Sequence, residues 1–476
     1  MPESKVVLSR RGDGLGERLN SLLNAMRLAE ILDVDFRFTW PIGIVGKDPH
    51  HAIVPPEQFF SADFVAAHLV ATADTKGGFE KLAGTADDLD SPRRQLDAVD
   101  RGLIAPGRPL STRIDPVAVP AVTRGFSAEF DAVGFHPSIE AVIAAARAVP
   151  FGARTVGIHL RAGDNLFGRY RAWTAYWYKV VPVPVARALI ERFQAEGREV
   201  VVFGEDARSI GDLCASTGAT DASTRRPSSG MTPAETAMFD LVLLSRCDRI
   251  ISGWSGFAIQ AASISDKHVE NHLDLVQPLE IVELTRADLA LHGDRYDPKH
   301  RSFAWWAAYY AARHELPYEE AVDLLTSAIE ADPTNPRARL RLAALSYRDG
   351  HLERGDDALV DALAADVGTG GAALESVMLF SLMTLGGYDS ADILDDIERG
   401  AREGSGPALI YRGGLRAQRG DATGAREDAA AFGSYAAGDG RLAGLPNLDR
   451  LASGTIDERL HRDEQTGTGR PQLRSS

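Results

Sequence analysis

Residues Thr155–Asp164 read TVGIHLRAGD, and this stretch gives the clearest indication of the fold. Its first part, Thr155–Leu160, is a largely apolar run that leads directly into Arg161 and Gly163. A strand that is buried on both faces shows such a run, whereas a half-exposed strand alternates between apolar and polar residues. The stretch therefore predicts a central strand of a parallel sheet. Its polar residues lie at the carboxyl end, where open α/β sheets bind ligands.

The sequence around this strand alternates between helix and strand patterns. The predicted elements are the helices Ser138–Ala148, Val183–Glu196 and Pro233–Ser245, the strands Glu199–Phe203 and Arg249–Ser252, and the turn Gly253–Phe257. Short apolar strands between helices predict a parallel sheet that is covered by helices on both faces.

The amino-terminal region opens with a similar pattern. A strand at residues 5–10 (KVVLSR) is followed by the glycine-rich turn Gly12–Gly16, a helical pattern over Glu17–Leu32 and a strand at residues 35–40 (DFRFTW). This order is typical of a doubly wound α/β domain. Residues 41–135 have weak periodicity, and we expect there a loop-rich subdomain that shapes an acceptor site.

Beyond about residue 300 the sequence changes to Ala-rich helices without strand patterns. Small residues recur there at separations of 34, 36 and 34 residues, at Ala321, Gly355, Ala391 and Ala425. Glycines lie five residues before the last three, at Gly350, Gly386 and Gly420. Tetratricopeptide repeats need a small residue at this period because the two helices of each hairpin cross closely. A plain helical bundle is the alternative.

Length and composition agree with a multidomain protein. At 476 residues the chain is too long for one core, and we predict domains at 1–150, 151–300 and 301–450 with a disordered tail at 451–476. The net charge of −15 argues against a nucleic-acid partner, although a few local arginines can still hold a diphosphate. With only two cysteines, neither a disulfide framework nor a zinc site is expected.

No targeting or membrane segment is evident in the sequence. The amino-terminal residues MPESKVVLSRRGDG lack the apolar core of a signal peptide. No run reaches the roughly 18 apolar residues that a membrane span needs. We therefore expect a cytoplasmic protein.

Three segments within residues 5–265 carry a family resemblance. They are Gly14–Asn20 (GLGERLN), Val156–Asp164 (VGIHLRAGD), and the pair DLVLLSRCD and SGWSGF within residues 240–257. In this order they are similar to the motifs of fucosyltransferases of the α1,2, α1,6 and protein-O-fucosyltransferase type. The resemblance implies a GT-B fold, with two Rossmann-like domains that face each other across a cleft, here followed by tetratricopeptide-like repeats. It also implies an inverting transferase that moves fucose or a related sugar from a GDP-sugar to a glycan or protein acceptor.

The nucleotide end of such a site centres on Arg161, which we expect to bind the diphosphate because a guanidinium binds phosphate bidentately. The alternative is a surface salt bridge with Asp164, which the resemblance also assigns to the donor site. His159 matches the family position that contacts guanine, or it is a core histidine with a satisfied hydrogen bond. Asp240 matches the position that contacts base or ribose, or it is an acid on a helix surface.

The turn at Ser255, Gly256 and Phe257 begins a helix whose first amides could receive phosphate oxygens. An N-cap turn without ligand would explain Ser255 equally well.

At the acceptor end, Gly14 and Gly16 are expected to line the interdomain cleft. Asn20 and Arg18 are expected to face the ligand or the partner strand. Most of the superfamily carries Asn where this chain has Glu17. One protein-O-fucosyltransferase branch has a Gly-Glu there, and in that branch the Glu resembles a catalytic base. A carboxylate at a helix start could accept the proton of the acceptor hydroxyl, or it could only stabilise the helix dipole.

Neither a metal nor a cofactor other than the donor is expected. The two D-x-D triplets, Asp33–Asp35 and Asp88–Asp90, lie at a helix-to-strand junction and in an acidic loop, and we interpret both as chance.

Two other functions stay open at this stage. Glu17, and Ala162 where many relatives have Arg, leave the nucleotide and sugar open, so a different nucleotide sugar is one alternative. The other is an interaction protein in which helical repeats bind a protein partner and the transferase module is degenerate.

Overall fold

The computed structural model describes residues 5–42, 53–83, 88–152, 154–168, 171, 177–227, 230–364, 391–418 and 421–436. The chain divides into two units. One, the sheet unit, comprises Met1–Arg161 and Leu189–Leu275, and the other, the helical unit, comprises Ala162–Ala188 and Val276–Ser476. Gly386 and Gly420 of the predicted repeats and the predicted disordered tail lie outside the described residues.

The first sheet of the sheet unit has four parallel strands in the order β2-β1-β4-β3. They are β1 Val6–Ser9, β2 Asp35–Phe38, β3 Phe79–Lys81 and β4 Gly102–Ile104. The helices of this region are α1 Leu15–Leu32, α2 Pro56–Phe59, α3 Ala62–His68, α4 Asp90–Ala98 and α5 Ser127–Ala132. The strands β3 and β4 lie within the region that the sequence indicated as loop-rich. Each has only three residues, which is too short for a period-2 pattern to be recognised.

The second sheet has five parallel strands in the order β7-β6-β5-β8-β9. They are β5 Thr155–Leu160, β6 Glu199–Gly204, β7 Thr220–Asp221, β8 Arg249–Ser252 and β9 Val269–Asn271. The helices along this stretch are α6 Pro137–Ala148, α7 Gly163–Leu166, α8 Val183–Ala195, α9 Ala207–Thr217, α10 Pro233–Ser245, α11 Gly256–Ser263 and α12 His272–Leu275. All six residues of β5 are buried, and β5 lies in the centre of the sheet as predicted.

Helix α1 is buried on nearly all of its faces. Of its 18 residues, 14 are buried, including the polar Asn20, Asn24 and Arg27. Arg27 forms a buried ion pair with Glu129, and its Nε donates to Glu129 Oε1 at 2.8 Å. The apolar face of α1, with Leu19 and Leu22, belongs to a core that extends into α10 and α11. The contacts of α1 therefore join the first sheet to the helices of the second.

The helical unit has no strand among its described residues. Its helices in the carboxyl-terminal part are α13 Pro278–His292, α14 Pro298–Ala312, α15 Tyr318–Ala331, α16 Pro336–Arg348, α17 Leu352–Ala364, α18 Ala391–Arg402, α19 Gly406–Gln418 and α20 Ala422–Ala436. A Cβ atom on Gly355 would lie 2.4 Å from the ring of Tyr347, and one on Gly400 would lie 2.8 Å from it. The helix pairs thus cross where the sequence places a small residue.

The predicted fold class is confirmed, since two parallel α/β sheets are followed by an all-α region. The domain boundaries at residues 150 and 300 stay a prediction. Among the described helices, none has the length and apolar character needed to cross a membrane.

Candidate functional site

Two neighbouring strands, β5 and β8, end side by side in the sheet unit. The side chain of His159 near the end of β5 lies against Ser252 at the end of β8, with 3.3 Å between His159 Nδ1 and Ser252 Oγ. The Ser252 hydroxyl donates to the backbone carbonyl of His159 at 3.1 Å. Because the hydroxyl proton is used there, the Ser252 oxygen is left to accept a hydrogen bond from the Nδ1–H group of His159. This arrangement leaves Nε2 of the imidazole as an acceptor.

The imidazole of His159 is buried and uncharged. Burial, together with the nearby positive charge of Arg161, lowers the pKa of His159 to about 3. Its ring stacks on Phe257, with 5.2 Å between ring centroids and 21° between planes. His159 therefore offers a fixed hydrogen-bonding group rather than a charge, and Arg161 directly after β5 supplies the cation. Both interpretations of His159 from the sequence are compatible with this setting.

Helix α11 begins at the turn after β8 and presents an unsatisfied hydroxyl. Ser255, its N-cap residue, is wholly buried, and its Oγ has no hydrogen-bond partner. The side chain makes no capping hydrogen bond to the helix. An unsatisfied buried hydroxyl costs about 1–3 kcal/mol, so such a group is expected where a ligand completes its bonding. Anions with several oxygens bind at helix N-termini for the same reason, because the first amides lack partners within the helix.

The start of α1 lies directly on the start of α11. A Cβ atom on Gly16 would be 2.6 Å from the carbonyl of Gly256 and from the amide nitrogen of Phe257. A Cβ atom on Gly256 would be 2.7 Å from Glu17 Oε1. Both glycines are therefore required for this crossing. The crossing brings the Glu17 carboxylate to the amino end of α11, which the sequence had not indicated.

Arg11 is a neighbour of this carboxylate that the sequence analysis missed. Its guanidinium lies 3.7 Å from Glu17 Oε2 and also pairs with Asp13. Arg11 lies in the irregular segment between β1 and α1, and no motif or periodicity distinguishes it there. Its position shows that Glu17 lies in a polar environment at the end of the first sheet.

The remaining residues of the first glycine motif are placed differently. Gly14 is the N-cap of α1. Asn20 Nδ2 lies 3.4 Å from the carbonyl oxygen of Gly256, so it reinforces the crossing of α1 and α11. Arg18 is buried and donates to the carbonyls of Asp13 and Pro41, both at 2.6 Å. In this structure Arg18 stabilises the loops around the start of α1.

Asp240 pairs with a residue that the sequence analysis also missed. Arg226 donates from Nε to Asp240 Oδ1 at 3.1 Å and from Nη2 to Oδ2 at 2.6 Å. Burial raises the pKa of Asp240, and the hydrogen bonds from Arg226 oppose this shift. Asp240 is therefore a buried acid that is already paired. A nucleotide base or ribose that binds to the Asp240 carboxylate would have to share it with Arg226.

Asp164 lies in α7, within the helical unit, and is buried. Its Oδ1 accepts a hydrogen bond from Asn165 Nδ2 at 2.8 Å. Of the D-x-D residues, Asp33 ends α1 in a left-handed conformation, and Asp88 accepts a hydrogen bond from the amide of Ser91 at the start of α4. Over the described ranges, no group of three His, Cys, Asp or Glu side chains is arranged to hold a metal ion.

Comparison with known proteins gives one sequence match, which covers the helical region. A family model described as tetratricopeptide repeat matches residues 318–374, which confirms the prediction of such repeats. No curated protein matches the chain significantly in sequence.

Solved structures of fucosyltransferases are similar to the chain at low identity. The fucosyltransferase NodZ from Bradyrhizobium is 16% identical with a TM-score of 0.34, and the match covers 54% of this chain and 93% of that one. POFUT1 in complex with GDP-fucose is 12% identical with a TM-score of 0.31, and the match covers 56% of this chain and 96% of that one. Similarities of this size do not by themselves establish a shared function.

Proposed function

We propose that this chain is a glycosyltransferase that moves fucose, or a related sugar, from a GDP-sugar to a glycan or protein acceptor. The observation that carries the proposal is the wholly buried hydroxyl of Ser255, which has no partner and lies at the amino end of α11. Near it are a buried neutral imidazole, His159, and an arginine, Arg161, at the end of a central strand. The resemblance of three sequence segments to fucosyltransferase motifs supports the choice of donor.

The donor side of the proposed reaction needs groups that stabilise a leaving diphosphate. As the bond between the sugar C1 and the phosphate oxygen breaks, negative charge develops on the diphosphate. Arg161 and the first amides of α11 oppose that charge, and Ser255 Oγ donates one more hydrogen bond. His159 Nε2 accepts a hydrogen bond, and a ring N–H of guanine is a donor of the matching kind.

The acceptor side needs a group that removes a proton. Glu17 lies beside Gly256, at the same end of α11 as Ser255. In the proposed step its carboxylate takes the proton of the acceptor hydroxyl. The hydroxyl oxygen then attacks the sugar C1 from the face opposite the diphosphate, and GDP leaves with the electron pair of the broken bond. This in-line displacement inverts the configuration at C1 and needs no metal ion.

The alternative functions predict a different arrangement of the same residues or a different nucleotide preference. A degenerate module would tend to lose the shared orientation of its site residues, whereas His159, Phe257, Ser255 and Glu17 are gathered at one helix end. This grouping favours an active transferase over a pure interaction protein. A donor with another nucleotide is distinguished by measuring the affinities of GDP, UDP, dTDP and CMP side by side.

The test is a calorimetric titration of GDP into the full chain and two matched serine variants. Ser61 caps α3 by accepting a hydrogen bond from the amide of Phe64, whereas Ser255 makes no such bond. We expect Ser61→Ala to lower the free energy of unfolding by about 1 kcal/mol and to leave GDP affinity unchanged. Ser255→Ala should do the reverse: it should raise the free energy of unfolding by about 1 kcal/mol, because an unsatisfied buried hydroxyl is removed, and it should weaken GDP binding at least tenfold.

Arg161→Ala in the same titration should abolish measurable GDP binding. If the unmodified chain does not bind GDP at millimolar concentration, the proposed function is wrong. Equal GDP affinities of the two serine variants would instead remove Ser255 from the donor site.

A further inference from the structure

A tryptophan is exposed in the turn that leads into α11. Among the described residues, five large apolar side chains are exposed, namely Ile42, Val117, Trp254, Leu279 and Leu291. Trp254, with 41% of its surface exposed, is the only aromatic residue in this set. A single exposed apolar side chain needs no explanation by itself, so the surroundings of Trp254 decide whether it has a role.

The backbone holds Trp254 in a tight turn. The amide of Ser255 donates to the carbonyl of Gly253 at 2.7 Å, which closes a three-residue γ-turn with Trp254 at its centre. Trp254 is not among the described residues with positive φ, so the turn has the common, inverse form. The strand β8 ends at Ser252, directly before this turn, and α11 begins at Gly256, directly after Ser255. The indole is therefore carried on a short connection between two regular elements.

The residues that follow Trp254 belong to the proposed site. Ser255 is wholly buried with an unpartnered Oγ, and we assign it to the donor. A Cβ atom on Gly256 would lie 2.7 Å from Glu17 Oε1, and the Glu17 side chain is 20% exposed. Two residues of backbone span at most about 7 Å. An exposed aromatic ring and an accessible carboxylate are thus present at the same end of α11.

An aromatic ring beside a carboxylate matches the two kinds of surface on a sugar ring. A pyranose has C–H bonds on its faces and hydroxyl groups around its edge. Its C–H face packs on a flat indole, because both apolar surfaces then leave water. The edge hydroxyls stay available to donate to a carboxylate such as that of Glu17. A serine or threonine side chain of a protein acceptor has no comparable flat face.

We propose that Trp254 binds the sugar ring of the acceptor and that the acceptor is therefore a glycan. The ring stacks on the indole and presents one edge hydroxyl to Glu17, while the donor diphosphate binds at Ser255 in the same turn. Trp254 is then a specificity-determining residue, because it favours a pyranose over a peptide. This inference rests on the proposed function, since it names the acceptor class of the same site.

The test uses fluorine NMR of the full chain labelled with fluorotryptophan. The chain has six tryptophans, and the signal that is missing in Trp254→Phe identifies Trp254. The probes are the methyl β-glycosides of glucose, galactose and N-acetylglucosamine, with N-acetylserine amide and glycerol as controls without a sugar ring. Each is titrated with and without saturating GDP. We expect at least one glycoside to shift the Trp254 signal saturably, and neither control to shift it.

Three variants examine whether the indole itself binds the sugar. Trp254→Ala should weaken glycoside binding at least fivefold and leave GDP affinity within threefold of the unmodified chain, as measured by calorimetry. Trp254→Phe keeps an aromatic face, so it should weaken glycoside binding by less than threefold. Leu291→Ala shortens another exposed apolar side chain, which lies on α13 and is 77% exposed, and it should change neither affinity.

The outcomes separate this proposal from the proposed function. If N-acetylserine amide shifts the Trp254 signal and the glycosides do not, the acceptor is a protein and the proposal is wrong. If the chain binds GDP but no glycoside shifts the signal, or Trp254→Ala binds the glycosides normally, the role of Trp254 is wrong while the proposed function stands. If the chain does not bind GDP, the proposed function fails, and the acceptor role of Trp254 fails with it.

Discussion

At the scale of single residues, the environment of Glu17 has two consequences for the proposed reaction. Its carboxylate lies at the amino end of α11, and Arg11 is 3.7 Å away. A helix N-terminus stabilises any negative charge placed there. The positive end of α11 therefore attracts both the Glu17 carboxylate and the leaving diphosphate. These two negative groups repel each other when the diphosphate is bound. A base in this position promotes proton removal from the acceptor and opposes donor binding.

Glu17→Gln separates these two effects, because glutamine keeps the shape of the side chain and removes its charge. We expect the turnover number for sugar transfer to fall by about 10²–10⁴-fold, which is typical for the loss of a general base. GDP affinity should be unchanged or higher, since a repulsive charge is gone. Steady-state kinetics and GDP titration on the same preparation measure both quantities.

Asp13→Asn is the matched control for Glu17→Gln, because Asp13 also pairs with Arg11. It should change turnover by less than threefold. A Glu17→Gln enzyme with normal turnover would show that Glu17 is not the base and only stabilises the helix end.

At the scale of elements, the crossing of α1 and α11 determines which residues the site can contain. The two helices approach at Gly16 and Gly256, where either Cβ atom would lie within 2.7 Å of its neighbour. The polar residues of α1 are buried because other elements pack against this helix on both of its sides. The glycine motif that resembles a ligand loop therefore serves first as a close helix contact, and the contact places Glu17.

Gly16→Ala should strain this crossing. The added methyl group would overlap the backbone of α11, and overpacking of this kind costs about 1–3 kcal/mol of unfolding free energy. Because α11 would be displaced, GDP binding should weaken as well. Urea unfolding and GDP titration check the two effects.

Gly211→Ala is the matched control within α9. A Cβ atom there meets no other atom within 4 Å, so the variant should be stabilised by up to about 1 kcal/mol through helix propensity alone. If Gly16→Ala were as stable as Gly211→Ala, the close crossing of α1 and α11 would be wrong.

At the scale of the whole molecule, two buried histidines link stability to pH. Burial lowers the pKa of His159 to about 3 and that of His272 to about 4, and both belong to the sheet unit. In the unfolded chain each imidazole binds a proton near pH 6.5. Their stabilising effect is therefore complete above pH 6.5 and is lost as the pH falls toward 4, since only the unfolded state takes up protons in that range.

The stability of the protein should therefore fall steeply in mild acid. If the unfolded state binds two more protons than the folded state, the free energy of unfolding decreases by up to about 2.7 kcal/mol per pH unit below pH 6.5. Thermal unfolding at pH 7.5, 6.5 and 5.5 measures this slope. His272→Gln should reduce it by about half. An equally steep slope in His272→Gln would show that other groups are responsible.

Several elements could be predicted from the sequence because their patterns are local. The strand Thr155–Leu160 and the helix Pro233–Ser245 were predicted with these bounds, since a continuous apolar run and a helical period need no distant partner. The strands β3 and β4 were missed because three residues carry too little pattern. They are strands because Val6–Leu8 of β1 supplies hydrogen bonds to β4, which in turn pairs with β3.

The sequence by itself determined the order of the elements, the helical repeats and the polar residues that follow the central strand, because each depends on neighbours within a few positions. Only the tertiary structure decided which polar groups meet. Asn20 meets Gly256 across 236 residues of sequence, and Arg171 meets Asp332 across 161. No local pattern encodes such pairs, since the partner of a buried polar group is chosen by the packing of whole helices and sheets.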